Sequence, residues 1–276
     1  MATPLVVDSH VHLHPEFGIG DFFSSAHANF EAAAREAGIP KWQGAILFTE
    51  SGGVERFTEL QVSGSETHSR GSWTFEPTDE QGSLVARNAT GAELLLIAGR
   101  QIRVEGRLEV LAVCTAKSFP DGGRLEEVAR NVRAAGAVPI LPWGFGKWWS
   151  KRGEIVESAL RRAHPGDFLL GDSGQRPRSL PQPKLFHLAR ERGIPILNGT
   201  DPLDYPAQAR RVGTYGSFLD LGGESGGRPS EMLRDTLLAL SATPPSVGRR
   251  VSLGGFVSAQ IRIRIPIGGS GTRRHR

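Results

Sequence analysis

Short apolar runs that end at polar residues alternate with helical patterns along most of this chain. Residues 5–7 form the first apolar run, an alanine-rich helical pattern follows at residues 22–37, and residues 45–48 form the next run. Apolar runs this short predict buried strands, because helices need longer segments. A strand, a helix and a second strand within about 45 residues predict a βαβ unit and hence a parallel sheet.

The same alternation returns after residue 122. Strands are predicted at residues 138–141, 168–170 and 194–197, and helices at residues 125–135, 154–162, 184–192 and 230–240. A polar stretch interrupts the pattern and predicts a β-hairpin insertion around residues 64–90. The chain has 276 residues, a length that suits one α/β barrel. We therefore expect an α/β fold, a distorted TIM-like (β/α)7–8 barrel over residues 1–245.

The last part of the chain differs from the rest in charge. Residues 246–276 carry seven arginines and no acidic residue, whereas the whole chain has 33 lysines and arginines and 29 acidic residues. The net charge of +4 therefore belongs to this segment, which we expect to be a basic C-terminal tail. Such a tail is more often solvated or in contact with a second subunit than bound to nucleic acid. We expect a homo-oligomer contact before a nucleic-acid partner.

Cysteine usage and hydropathy limit the class of protein. Cys114 is the single cysteine, so neither an internal disulfide nor a cysteine-rich zinc site can form within the chain. The first residues lack the basic and apolar regions of a signal peptide, and no uninterrupted apolar stretch has the length of a membrane span. These features predict a cytoplasmic protein without a membrane span.

Three histidines follow the first predicted strand closely: His10, His12 and His14. Residues two apart on a strand point to the same side, so we expect the imidazoles of His10 and His12 to converge. Imidazole binds zinc, iron and other transition metals. Asp8 is expected on the same side, where it would bind the metal or orient a histidine. The spacing predicts a site for a divalent metal such as zinc, manganese or iron.

The segment VVDSHVHLHP resembles the first strand of the amidohydrolase and PHP (polymerase and histidinol phosphatase) superfamilies of metal-dependent hydrolases. The resemblance implies that His10 and His12 bind a catalytic metal. ILNGTDPL is similar to a late strand end of both families, which implies that Asp201 binds the metal and accepts a proton from the attacking water. The alternative role of Asp201 is an Asx turn or helix cap before Pro202. LLLIAGRQIRVEGRLEVLAV resembles the PHP segment in which a glycine and an acidic residue end one strand and the next strand carries a histidine.

The chain departs from the PHP pattern at several positions. Gln101 stands where PHP proteins have a glutamate, and Glu109 stands where they have a histidine. Trp143 follows a proline where a histidine-proline pair is expected, and no histidine lies between His68 and His164. The three-metal site of PHP enzymes therefore cannot be complete. We expect one or two metals with carboxylates such as Glu109 as substitute ligands, or a site that has lost catalysis.

Further candidate residues lie at strand ends and in loops. Asp172 ends a predicted strand and is a candidate metal ligand. The turn after it carries Arg176 and Arg178, which we expect to bind an anionic group of the substrate. Trp143 lies among glycines after another strand, and His68 lies in the polar insertion; both are candidate substrate contacts. The alternative for Trp143 and the aromatic residues near it is a hydrophobic plug that packs against a helix.

These features predict a metal-dependent hydrolase, more specifically a phosphoesterase that acts on a small anionic substrate. The PHP-like layout and the arginine-rich turn both favour a phosphate ester over an amide. The alternative is a catalytically degenerate barrel that binds a ligand or a partner, which the missing histidines favour.

Overall fold

The structure is a computed structural model that describes residues 3–65, 73–221 and 227–264. Its strands are β1 (Leu5–Val11), β2 (Gln43–Phe48), β3 (Trp73–Pro77), β4 (Ser83–Asn88), β5 (Glu93–Ile97), β6 (Gly99–Val104), β7 (Leu108–Val113), β8 (Val138–Pro142), β9 (Leu169–Ser173), β10 (Ile196–Gly199), β11 (Tyr215–Leu219) and β12 (Ser246–Gly248). Its helices are α1 (Ile19–Glu36), α2 (Arg56–Ser65), α3 (Leu125–Ala134), α4 (Lys151–Arg162), α5 (Lys184–Glu191), α6 (Pro229–Leu238) and α7 (Leu253–Arg264).

The strands form two mixed sheets. One sheet has seven strands in the order β12-β11-β1-β2-β5-β4-β3, and the other has five strands in the order β10-β9-β8-β7-β6. The pairs β1–β2, β2–β5, β8–β9 and β9–β10 are parallel. The other pairs are antiparallel. The predicted α/β class therefore holds, with parallel strands at the centre of one sheet and along one side of the other.

The predicted TIM-like barrel is wrong, because the described strands do not close into one sheet. Strands β3 to β7 follow one another without an α-helix between them. A parallel neighbour requires a crossover of about a dozen residues or more, whereas short turns produce antiparallel neighbours. The β-hairpin predicted around residues 64–90 is present in the described residues, since β3 pairs antiparallel with β4. Strand β4 also pairs with β5, so the hairpin forms the edge of the seven-stranded sheet.

Three apolar clusters surround the sheets. One cluster lies between the sheets and takes Val7 and Leu47 from one sheet and Leu111 and Ile140 from the other. A second lies between the seven-stranded sheet and α1, and a third lies between the five-stranded sheet and α3, α4 and α5. Each sheet is therefore apolar on both faces. This explains why its parallel strands appear in the sequence as continuous apolar runs.

Part of the predicted tail contributes to the fold. Strand β12 pairs with β11, and α7 buries Phe256 and Ala259. The last residues, 265–276, lie outside the described part of the chain. None of the described helices is both long and apolar enough to cross a bilayer.

Strand β1 contains an irregularity just before the histidines. Asp8 pairs with Ile46 and Val11 pairs with Phe48, so β1 carries one more residue than β2 over this stretch. Val6 and Val11 pack in the same cluster although they are five positions apart in the chain. Because strand side chains alternate with a period of two, this arrangement requires a bulge between them. The bulge removes the basis for expecting Asp8 on the same side as His10.

Strands β1 and β10 meet where the two sheets lie side by side. The Ser9 hydroxyl donates to the Asn198 carbonyl at 2.9 Å, and the Asp201 amide donates to the His10 carbonyl at 2.8 Å. Gly199 permits this approach, because a Cβ atom built there would lie 2.5 Å from the His10 nitrogen. We call this contact, between residues 8–10 and 198–201, the β1–β10 seam.

Because the two backbones approach closely at the β1–β10 seam, we expect Gly199→Ala to lower the free energy of unfolding by about 1–3 kcal/mol, the usual cost of overpacking. The added methyl group would also lie 2.7 Å from the His10 Cβ, so the backbone must move. Gly52→Ala is the control, since a Cβ atom there meets nothing within 4 Å. We expect that control to change stability by less than about 0.5 kcal/mol. Chemical denaturation compares the two variants, and equal midpoints would contradict the close approach.

Candidate metal centre

Three side chains with metal-ligating atoms converge at the carboxyl ends of β1 and β10: His10, His12 and Asp201. The Nε2 atoms of His10 and His12 are 3.1 Å apart. The Oδ1 atom of Asp201 lies 3.5 Å from His10 Nε2 and 3.7 Å from His12 Nε2. We call these residues the His–Asp triad. Among the described residues, no other group of histidines, cysteines and carboxylates has this spacing.

The triad has the dimensions of one face of a metal coordination sphere. Zinc lies about 2.0–2.2 Å from imidazole nitrogen and carboxylate oxygen, so its tetrahedral ligands are about 3.4 Å apart. The separations of 3.1, 3.5 and 3.7 Å fall on either side of that value. The Asp201 side chain is 25% exposed, so the triad is accessible to solvent. The three residues therefore fit a divalent metal with coordination positions left for water or substrate.

Contacts with β1 and with β9 hold Asp201 in position. Its φ of +50° lies in the left-handed region, which few residues other than glycine adopt. The amide bonds His10 of β1, and the Oδ2 atom accepts a hydrogen bond from the Ser173 hydroxyl of β9 at 3.2 Å. These contacts hold the carboxylate toward the histidines rather than toward the backbone amides that a cap would bind.

The protonation states of the triad suit metal binding. Burial lowers the pKa of His12 to about 3, and the adjacent His10 acts in the same direction. Burial alone raises the pKa of Asp201, but His10, His12 and Lys147 outweigh it, so the net shift is downward. At neutral pH His12 is therefore a neutral imidazole and Asp201 is a carboxylate, which are the forms that bind metals.

Lys147 brings positive charge to the triad from the segment between β8 and α4. Its ammonium group forms a 2.5 Å ion pair with Glu109 of β7. The partner of Glu109, which the sequence suggested as a metal ligand, is therefore a lysine. Trp143, a predicted substrate contact, is only 7% exposed and packs with Trp148 in the cluster beside the five-stranded sheet. Trp149 of the same segment is 57% exposed. Trp143 and Trp148 of this segment therefore belong to the core, whereas Trp149 is exposed and Lys147 acts on the triad.

Asp8 lies beside the triad, but protein donors occupy its oxygens. Its Oδ1 atom accepts from the Thr200 amide at 2.8 Å, and its Oδ2 atom accepts from the Thr200 hydroxyl at 2.5 Å and the Gly213 amide at 2.9 Å. It contacts His10 through the backbone amide, at 3.4 Å, and not through the ring. Burial raises its pKa to about 6, although these hydrogen bonds act in the opposite direction. Asp8 therefore joins β1 to the segments after β10 and before β11.

Asp172 and Arg176 pair with each other. The guanidinium group donates to both carboxylate oxygens, at 2.7 and 2.6 Å, and Tyr215 donates a further hydrogen bond at 2.9 Å. Both residues are buried, so neither a metal nor a substrate competes easily for their polar atoms. Arg178 is exposed and lines a cavity whose wall also includes Asp172 and Arg176. His68, the remaining predicted substrate contact, lies outside the described residues.

Lys147 and Ser173 contact or influence the triad, and neither was among the predicted site residues. A signal for each was present in the sequence. Ser173 directly follows Asp172 at the end of a predicted strand, and Lys147 lies in a glycine-rich segment after another strand. Residues that follow the carboxyl ends of parallel strands commonly meet at one edge of the sheet.

No family model matches this chain, and no curated protein sequence matches it. Its fold resembles the crystal structure of the lesion-specific endonuclease EndoQ from Pyrococcus furiosus, with a TM-score of 0.51 and 12% identity. The similarity covers 87% of this chain but only 56% of EndoQ, so the chain spans about half of that protein. PsfC from Pseudomonas syringae PB-5123 aligns over 95% of this chain and 99% of its own, with a TM-score of 0.49 and 14% identity. At these identities the similarity concerns the fold alone.

Glu50, two residues after β2, is a further buried carboxylate besides Asp8 and Asp172. It pairs with Arg100 of β6 at 3.1 Å and accepts a hydrogen bond from the Phe57 amide at 2.7 Å. Burial raises its pKa from 4.5 to about 7, with Phe57 and Arg100 acting in the opposite direction. The folded protein therefore binds more protons here than the unfolded chain in this interval. The resulting stabilisation is fully present below pH 4.5 and is lost as the pH rises through about 7.

We expect Glu50→Gln to remove this contribution and flatten the pH dependence of the free energy of unfolding between pH 4.5 and 7. Glu55→Gln is the matched control, because Glu55 is the exposed carboxylate that pairs with the same arginine at 2.7 Å. Urea denaturation at several pH values measures the slope of the free energy of unfolding against pH for each protein. If the slopes of the wild type and Glu50→Gln are the same, the raised pKa of Glu50 is wrong.

Proposed function

We propose that this protein is a metal-dependent hydrolase whose centre is the His–Asp triad. The observation that carries the proposal is the convergence of two imidazoles and one carboxylate, spaced as metal ligands, on a solvent-accessible strand end. The alternative, a protein that binds a ligand or partner without catalysis, is disfavoured because the Asp201 carboxylate is accessible to solvent. Structural metal sites usually have all their positions filled by protein ligands, whereas catalytic sites leave one open.

His10 and His12 would hold the metal through their Nε2 atoms, and Asp201 would hold it through Oδ1. A divalent metal in such a site lowers the pKa of water toward neutrality and polarises the oxygen of the bond to be cleaved. The Oδ2 atom of Asp201, positioned by the Ser173 hydroxyl, would accept the proton from the attacking water. The resemblance of the two ligand segments, residues 6–15 and 196–203, to PHP and amidohydrolase proteins supports this assignment.

A phosphate ester is the substrate class that we propose. The positive charge of Lys147, which already acts on Asp201, would favour an anionic substrate at the triad. EndoQ is an endonuclease and so cleaves phosphate esters, which supports the same bond type for this chain. That neighbour also counts against our expectation that nucleic acid is not a partner, so the substrates to be tested include both small phosphomonoesters and oligonucleotides.

We expect the protein, supplied with zinc, manganese or iron, to hydrolyse a phosphomonoester or phosphodiester. Asp201→Asn should lower kcat by about 10²–10⁴-fold, the usual contribution of a general base. The double variant His10→Ala/His12→Ala should reduce turnover to background. The matched control is His164→Ala/His187→Ala, which removes two exposed histidines outside the triad.

These outcomes are measured in a screen with zinc, manganese and iron in turn. The substrates are model phosphomonoesters, phosphodiesters and damaged oligonucleotides. Turnover that is the same in the two double histidine variants would mean that the activity comes from elsewhere. If no substrate is hydrolysed with any metal while the protein retains metal at the triad, the non-catalytic alternative is correct.

A further inference from the structure

A cavity of about 300 Å³ is lined by residues of β9, β10, α5 and the segment that contains β12. A second cavity of about 380 Å³ adjoins it beside α1. Arg178, Arg249 and Arg250 line both cavities, and Arg211 also lines the second. The walls of this double cavity are therefore strongly basic.

Only part of this positive charge is balanced within the protein. Asp172 is paired with Arg176 at 2.6 Å, and Glu36 is paired with Arg249. Asp8 attracts Arg211 electrostatically, but no described carboxylate forms an ion pair within 4.0 Å of the guanidinium nitrogens of Arg178, Arg211 or Arg250. We call these three residues the arginine cluster.

The arginine cluster also contains buried donors without acceptors. The Nε and Nη2 atoms of Arg211 and the Nη1 atom of Arg250 are buried and have no hydrogen-bond partner among the described residues. Burial lowers the pKa of Arg211, yet a guanidinium group stays protonated in proteins. Charged donors in this state are strongly unfavourable unless an anion satisfies them.

The arginine cluster is separate from the His–Asp triad. Asp172 lines the first cavity, whereas the next residue, Ser173, bonds Asp201 of the triad. Successive residues on a strand point to opposite faces, so β9 lies between the two sites. A ligand in the cavity would therefore contact the arginine cluster without touching the triad.

We propose that the arginine cluster binds the phosphate group of a small ligand. Phosphate offers several oxygens to guanidinium donors and carries enough negative charge to balance more than one arginine. The site is concave, which suits a small molecule better than the backbone of a long polynucleotide. This second site is independent of the proposed hydrolase function and adds a binding activity to it.

Isothermal titration calorimetry of the full chain with inorganic phosphate tests the site. We expect saturable binding that Arg178→Gln/Arg250→Gln weakens by about tenfold or more, because each arginine supplies charge-assisted hydrogen bonds. In protein without added metal, His10→Ala/His12→Ala should keep the phosphate binding that Arg178→Gln/Arg250→Gln weakens. Arg133→Gln/Arg161→Gln removes two exposed arginines elsewhere and should also bind normally. Arg178→Gln alone, at an exposed position, gives the same test with an intact core should the double variant fail to fold.

A nucleoside monophosphate titrated in parallel distinguishes the source of the phosphate group. Tighter binding than inorganic phosphate assigns an organic phosphomonoester, and equal binding assigns the free ion. The proposal is overturned if the wild type does not bind phosphate, or if the His10→Ala/His12→Ala variant loses binding. Equal loss in Arg133→Gln/Arg161→Gln, or binding of an oligonucleotide through these arginines without binding of phosphate, would also overturn it.

Discussion

The buried carboxylate of Asp8 is the interaction on which the rest of the centre depends. It accepts hydrogen bonds from the amide and hydroxyl of Thr200, next to Asp201, and from the amide of Gly213, just before β11. One side chain thus ties β1 to segments from both sheets. A buried carboxylate is costly without such donors, so its full set of partners strongly specifies the register of the β1–β10 seam.

The geometry of the triad follows from that seam. His10 and His12 arrive at the end of β1, and Asp201 arrives in a left-handed turn whose amide bonds the His10 carbonyl. Gly199 lets the two backbones approach, since any larger residue would meet His10. The metal-ligand spacing is therefore a consequence of backbone contacts between two sheets, and the side chains that bind would need little rearrangement to do so.

The sequence allowed prediction of the parts that depend on local pattern. The apolar runs located most of the strands, because each parallel strand is covered on both faces. The strand-end principle then selected His10, His12 and Asp201, which the structure brings together. These three positions are also the ones on which the family resemblance depended.

The remaining features depend on contacts that no local pattern contains. The barrel expectation failed because β4 pairs antiparallel with β5 and β6 with β7 through short turns, and β7 pairs antiparallel with β8 across α3. These pairings change the topology without changing the apolar pattern of the strands. Asp172 pairs with Arg176 four residues further along the chain, in the turn after β9, and only the folded chain shows that this pair is buried.

Glu109, the second residue of β7, forms an ion pair with Lys147, which lies in the segment between β8 and α4. The sequence around a carboxylate in or after a strand does not show whether its partner is a metal, an arginine or a lysine. The strand-end principle therefore gives the candidates, and the tertiary hydrogen bonds decide among them.

Elemental mass spectrometry of untagged, chelator-free protein shows whether the His–Asp triad binds a metal. We expect bound zinc, manganese or iron in the wild type and in His164→Ala/His187→Ala, and its loss in His10→Ala/His12→Ala. Absence of metal from the wild type after incubation with each ion would contradict this expectation. Equal metal content in the two double histidine variants would also contradict it, because the ion would then lie outside the triad.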